Sequence, residues 1–294
     1  MIDTVLYGDC RYTLPTINHK CRMCVTSPPY YGLRNYKGAD KQIGLEQSPE
    51  DYVDELVKVF RLVRDILTED GTLWVNIGDS YYNYRGGKGQ ALPNQSFGGD
   101  QDLPQINPRR GNKLEGYKEK DLIGIPWMLA FALRQDGWYL RQDIIWNKPN
   151  PMPESVRDRC TKSHEYIFLL SKNQNYYFDV DSIKVPTVDG KQLKRKKTVW
   201  DVKVKPNRAT GHHAAYPEEL ITPCILAGSE ENDIILDPFM GSGTSAMVAK
   251  SLGRYYLGCE LHEDYGNLIE KRIQDYHPVK EVAQEPTVNI LDLI

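Results

Sequence analysis

A chain of 294 residues with a net charge of −3 and 26% charged side chains can bury one large α/β core, or a catalytic domain with a smaller lobe. Its cysteines, Cys10, Cys21, Cys24, Cys160, Cys224 and Cys259, follow no disulfide spacing, and the first residues lack the charged and apolar regions of a signal peptide. No apolar run approaches the roughly 20 residues of a membrane span, so secreted scaffolds and membrane proteins are set aside and a reducing cytoplasm is expected.

The first predicted element is a β-prone run from Arg22 to Thr26, leading into Ser27, Pro28, Pro29 and Tyr30, where two prolines end any regular structure. Ser48 and Pro49 supply an N-cap and a first-turn proline for a helix. Its Tyr52, Leu56, Phe60, Val63 and Leu67 recur at helical spacing, and Asp70-Gly71 reads as its stop. Thr72 to Ile77 is the next strand. Strand, helix and strand at this spacing predict a βαβ unit and a parallel sheet.

Residues 82–120 lose the apolar period and fill with Gly, Asn, Gln, Arg and Lys, the pattern of a long, flexible insertion. A helix from Leu122 to Gln135 follows, with Pro126 near its start, then strands from Tyr139 to Trp146 and from Glu165 to Leu170. Residues 184–212 form a second irregular stretch, strongly basic. The α/β alternation then resumes: a helix near Pro217 to Leu226, a buried strand from Asp233 to Leu236, a glycine turn, a helix from Thr244 to Leu252, a strand from Arg254 to Cys259 and a helix from Asp264.

The near-neutral net charge hides an asymmetry. Residues 107–212 carry 21 basic and 12 acidic side chains, whereas residues 1–106 carry 11 and 14 and residues 213–294 carry 5 and 14. A basic middle between acidic flanks is expected when one lobe faces a polyanion, although a basic run alone is equally a solvated loop.

Chemistry concentrates in two segments. In DIILDPFMGSGTS a buried strand ends in Asp237, passes Phe239, turns on Gly241, Ser242 and Gly243, and enters a helix at Thr244. Glycines let a ligand approach the backbone, and the helix start offers unpaired N–H groups. Glu260 ends the next strand 23 residues after Asp237, about where dinucleotide-type folds place the acid that binds ribose hydroxyls. The turn departs from G-x-G-x-x-G, which argues against a nicotinamide cofactor and hence against an oxidoreductase.

The second segment is VTSPPYYGL, residues 25–33. Together with DPFMGSGTS it resembles the DNA amino-methyltransferases, whose catalytic motif is [DNS]-P-P-[YFW]. The serine form is most typical of the N4-cytosine group, and the order, catalytic motif before cofactor motif, is that of the permuted β class. The resemblance covers most of the chain: Gly8-Asp9 matches the acid that contacts adenine, and HAAYPEEL at 213–220 matches the helix motif before the cofactor loop. It implies a three-layer fold of the S-adenosylmethionine-dependent type, a mostly parallel sheet with helices on both faces.

It also implies S-adenosylmethionine held by Asp9, Asp237, the 239–244 turn and Glu260, with double-stranded DNA as substrate and its target base flipped out of the helix. An exocyclic amine is a poor nucleophile because its lone pair is delocalised into the ring. Acceptors aimed at its N–H bonds favour a tetrahedral nitrogen and free that pair for attack on a sulfonium methyl. Ser27 Oγ and the Pro28 carbonyl are the candidate acceptors, Pro29 stiffens the turn, and Tyr30 can stack on the base.

As one methyltransferase domain, the chain divides into a catalytic half at 1–150 carrying the 82–120 insertion, a target-recognition region near 151–212 and a cofactor half at 213–280. Lys194, Arg195, Lys196, Lys197, Lys203 and Arg208 are the candidate phosphate contacts. N6-adenine methylation and an inactive DNA-binding relative are the rival readings, the latter opposed by intact Ser27, Asp237 and Glu260. A partner restriction endonuclease, as in restriction-modification systems, and a homodimer are compatible with the resemblance, but the sequence specifies neither. Cys21 and Cys24 have no second C-x-x-C pair and read as core residues, not zinc ligands. His212 and His213 lack carboxylates at ligand spacing, and no metal is expected. Trp138, Tyr139 and Trp146 read as core, and Tyr176 and Tyr177 as sheet or DNA-facing side chains.

Overall fold

The computed structural model describes residues 2–32, 42–82, 114–205 and 216–275. In chain order its elements are β1 (Thr4–Tyr7), α1 (Cys10–Thr13), β2 (Cys21–Thr26), α2 (Pro49–Ile66), β3 (Leu67–Ile77), α3 (Ile125–Gln135), β4 (Tyr139–Asn147) and β5 (His164–Ser171). There follow β6 (Val185–Pro186), β7 (Leu193–Lys194), β8 (Val199–Asp201), α4 (Glu218–Gly228), β9 (Ile234–Asp237), α5 (Thr244–Ser251), β10 (Tyr255–Glu260) and α6 (Gly266–Asp275). Eight strands form one sheet in the order β1-β10-β9-β2-β3-β5-β4-β8, and β6 and β7 make a separate hairpin. Neighbours from β1 to β3 are parallel, β5 runs against both β3 and β4, and β8 is parallel to β4.

Alternation along each strand builds the layers. Leu73, Val75 and Ile77 of β3 face a core with Tyr52, Leu56, Phe60 and Val63 of α2 and Leu129 and Leu133 of α3. Trp74, with Met23 and Val25 of β2, faces the other core, under Leu220, Cys224 and Ile225 of α4 and Val248 of α5. Two buried faces on one sheet give the three-layer α/β fold expected from the motif resemblance.

Helix α2 begins as the sequence predicts, with Ser48 Oγ accepting from the Asp51 N–H at 3.0 Å and Pro49 in the first turn. It stops at Ile66, before the predicted Asp70-Gly71 stop. That pair lies inside β3, where the β2–β3 register shifts between Cys21 and Met23. Leu122 is not helical. It bridges Tyr81, and α3 starts only after Gly124, whose φ of 88° breaks the run. There the Asp79 carboxylate accepts from the Gly124 and Ile125 N–H groups at 3.0 and 3.2 Å.

The 184–212 stretch is not wholly irregular, since it contains β6, β7 and β8. Trp138 and Trp146 are core, but Tyr139 is exposed, and Tyr176 and Tyr177 lie beyond the strand, under Arg141 and Arg22 respectively. Cys21 and Cys24 are buried in β2. Most of the 82–120 insertion, with Arg208, His212 and His213, lies outside the described residues.

Candidate active site

The parallel half of the sheet brings the predicted residues to one edge. Tyr7 pairs with Glu260, Gly258 with Asp237, Cys24 with Leu236 and Thr26 with Val75. Asp9, Glu260, Asp237 and Ser27 therefore all stand at the C-terminal ends of parallel strands. β9 continues through α5 to β10 on one side, whereas β2 continues through α2 to β3 on the other. The winding reverses between β9 and β2, and in open α/β sheets the ligand crevice lies outside the strand ends at such a switch point.

Asp237 joins the two windings. Its buried carboxylate accepts from Thr26 Oγ1 at 2.6 Å, Ser245 Oγ at 2.5 Å, the Phe239 N–H at 3.0 Å and the Tyr216 hydroxyl at 3.3 Å. Burial pushes the Asp237 carboxyl above the usual carboxylate range while these donors pull it back, and burial beside Asp237 pushes the Tyr216 phenol well up. With four protein donors on its oxygens, Asp237 fixes β2 against the glycine turn. Phe239 packs against the main core.

The turn itself is built from both glycines. Gly241 and Gly243 have φ of 54° and 80°, and a Cβ on Gly243 would lie 2.9 Å from Ile269 Cγ2. Arg272 of α6 donates to the Ser242 carbonyl at 2.7 Å, to Ser242 Oγ, and to Thr244 Oγ1 at 3.3 Å. Helix α6 thus holds the turn through a residue that no motif singled out.

Glu260 accepts from the Gly241 N–H at 2.8 Å and the His262 N–H at 2.9 Å, and burial pushes its carboxyl up to about 7. Asp9 caps α1 through the Arg11 N–H at 2.9 Å and is ion-paired with Arg11 at 2.7 Å, which in turn reaches Glu55 at 2.6 Å. A left-handed glycine turn, a helix start and two acids at adjacent strand ends suit a nucleoside-bearing ligand with a hydroxylated sugar.

On the far side of the crevice Pro28 is buried and Ser27, Pro29 and Tyr30 are partly so. The Tyr52 hydroxyl of α2 donates to the Pro29 carbonyl at 2.8 Å, fixing the proline turn. The Tyr30 hydroxyl donates to Glu165 Oε2 at 2.6 Å, and Asn76 Nδ2 of β3 reaches the same oxygen at 3.4 Å. Lys148 is ion-paired with the other Glu165 oxygen. Glu165, Lys148 and Asn76, like Arg272, are residues that sequence reading missed. The available signal was a charged or amide residue at or next to the end of each strand.

The basic residues divide by edge. β8 runs in the direction of β4 and β3, so the chain preceding it, with Lys194, Arg195, Lys196 and Lys197, approaches from the edge opposite the crevice. Lys196 turns inward, its ammonium 5.0 Å from the Trp200 ring centre, and burial lowers its pKa. Lys203 follows β8 and lies exposed on the crevice edge, beside Val204, whose N–H donates to Asn150 Oδ1 at 2.9 Å.

Similarity to known proteins agrees with this geometry. The family model described as DNA methylase, of N6 and N4 type, matches residues 21–271. The type II methyltransferase M.SmaI of Serratia marcescens is 48% identical over 92% of this chain and 90% of its own length. The cytosine-N4-specific PvuII DNA methyltransferase has the same fold, with a TM-score of 0.68 at 17% identity over 95% of this chain and 89% of its own. M1.HpyAVI, solved with S-adenosylmethionine, superposes with a TM-score of 0.58 at 17% identity over 92% of this chain and 98% of its own. With the permuted motifs meeting at one sheet edge and a family match spanning most of its length, the chain belongs to the N6/N4 DNA methylases.

Proposed function

We propose that the protein transfers a methyl group to the N4 amine of a cytosine flipped out of duplex DNA. The observation that carries this reading is the placement of Ser27 at the sheet's switch point, one residue beyond the Thr26–Asp237 hydrogen bond that ties it to the glycine turn. S-adenosylmethionine supplies the activated methyl group. The 239–244 turn, Glu260 and Asp9 are the residues that would hold it, Glu260 taking the sugar hydroxyls as an acceptor.

Ser27 Oγ and the Pro28 carbonyl accept from the target amine and favour a tetrahedral nitrogen, while Tyr30 supports the flipped base. Serine at position 27, by family resemblance, favours cytosine over adenine. Phosphate contacts fall chiefly to Lys203 and Arg208, with a smaller share for Lys194, Arg195 and Lys197, which approach from the other edge, and none for Lys196, which is turned onto Trp200.

Methylation-sensitive sequencing of DNA from cells expressing the chain tests the reading. The expected result is modified cytosine within one recurring sequence context that is lost in cells expressing Ser27→Ala. Unmodified DNA in both would reject it, and modified adenine would replace N4-cytosine by N6-adenine specificity.

A further inference from the structure

The mixed half of the sheet raises a loop at the same edge as the motif residues. Tyr166 of β5 pairs with Ile77 of β3, and His164 with Asn147 of β4, so residues 148–163 leave and re-enter the sheet at the crevice edge. Both feet of this loop stand beside the proline turn. The Tyr30 hydroxyl donates to Glu165 at 2.6 Å, and Lys148 is ion-paired with Glu165.

The loop contains no helix or strand, yet its shape is tied down. The Lys148 N–H donates to the Ser163 carbonyl at 2.7 Å. Asn150 meets the backbone of Val204 twice, donating to its carbonyl and accepting from its N–H, both at 2.9 Å. Glu154 accepts from the Lys162 N–H at 3.3 Å and is ion-paired with Arg159, whose guanidinium lies 3.8 Å from the ring centre of Tyr81. Pro149, Pro151 and Pro153 fix φ along the first half of the loop, and Pro153 disfavours helical backbone at Met152.

This braced loop holds Met152 out, 63% exposed, with Val156 43% exposed further along. A single exposed apolar residue is ordinary on a protein surface. Met152 is distinguished by its place, on the loop that rises beside the candidate base pocket, and by the charges around it. The acids of the loop are occupied, Glu154 by Arg159 and Asp158 by Lys120. Arg157 and Lys203 are exposed and make no ion pair among the described residues, and Lys203 precedes the Val204 to which Asn150 ties the loop. An apolar tip flanked by free cations suits a base stack lying between phosphates.

A base turned out of a duplex leaves a gap whose neighbours have lost their stacking, and apolar side chains, methionine among them, are inserted at such steps. We propose that the loop between β4 and β5 enters the duplex and that Met152 fills the place in the stack left by the flipped cytosine. This rests on the reading that the protein flips its target base. An unbranched thioether adapts to the uneven walls of that gap, while Arg157 and Lys203 meet the phosphates on either side.

Two measurements on duplexes carrying the methylated sequence context test it. Pyrrolocytosine at the target position brightens on leaving the stack, and at saturating protein it should be dimmer with Met152→Ala than with the wild type. Single-turnover methylation should fall about tenfold in Met152→Ala on the paired duplex, but stay within about twofold of the wild type when an abasic site faces the target and flipping costs less. Met152→Leu, which keeps the apolar volume, should recover most of the loss. Cofactor affinity and thermal unfolding should not change, because the side chain is exposed.

Equal emission with Met152→Ala and wild type, or an equal rate loss on both duplexes, would overturn the inference and leave the proposed function standing. A wild-type rate accompanied by lost self-association in sedimentation would also overturn it and give the loop to a second copy of the chain. Wild-type protein that neither brightens the probe nor methylates the paired duplex would overturn the proposed function and the inference with it.

Discussion

The two halves of the sheet contribute differently to the site. From β1 to β3 the strands are parallel, and their C-terminal ends carry every motif residue: Asp9, Glu260, Asp237 and Ser27. From β5 to β8 the strands are mixed and carry no recognised motif, yet they supply Glu165 and Lys148 to the side of the crevice that holds the proline turn. The parallel half presents its motif groups on backbone turns, which need glycine, proline and acids at fixed spacing and so leave a sequence signature. The antiparallel half presents side chains at strand ends, where one charged residue suffices.

Three perturbations sharpen this contrast, beginning with the largest effect. Ser27→Ala should lower single-turnover methylation about 10²-fold to 10³-fold, the usual loss on removing one transition-state hydrogen-bond partner. Cofactor affinity by calorimetry should stay at the wild-type value, since Ser27 lies across the crevice from the glycine turn.

A smaller effect is expected beside the glycine turn, where burial pushes the Glu260 carboxyl up to about 7. Sugar hydroxyls are donors and favour the ionised form, so S-adenosylmethionine affinity should rise as pH increases through about 7 and level off above it. In Glu260→Gln the profile should be flat. For the cofactor-free fold the sign is opposite: the contribution of Glu260 is present below the ordinary carboxylate pKa and lost as pH rises through about 7. Calorimetric titrations across this range report the first effect and thermal unfolding the second.

The smallest effect concerns the two edges. Lys203→Ala should make the salt dependence of DNA binding shallower by about 0.9 in log–log slope, one phosphate contact. Lys196→Ala should leave the slope unchanged, because its ammonium lies over Trp200. A loss of slope at Lys196 and none at Lys203 would place the DNA on the opposite edge.

Much of the fold was legible where local and tertiary preferences agree. Ser48, Pro49 and the apolar period of α2 fixed its start to the residue, while Asp70-Gly71 misled because a bulged strand also uses such a pair. β1 went unread, being a four-residue strand with no apolar face pattern to mark it. β8 was hidden because three residues next to a basic run carry no period, and only pairing with β4 makes them a strand. At the site, Asp237 and Glu260 were found from their distance along the chain. Their roles differ: Asp237 is surrounded by protein donors, whereas Glu260 faces the turn. Arg272 and Glu165 act across 28 and 135 residues of sequence separation and Lys148 reaches Glu165 across 17, which no local pattern encodes.

The central claim is that serine at the switch point serves a cytosine amine. Nucleoside mass spectrometry of duplex DNA incubated with the purified protein and S-adenosylmethionine carrying a labelled methyl group tests it most directly. The account predicts label in N4-methylcytosine, and label in N6-methyladenine or in 5-methylcytosine would contradict it.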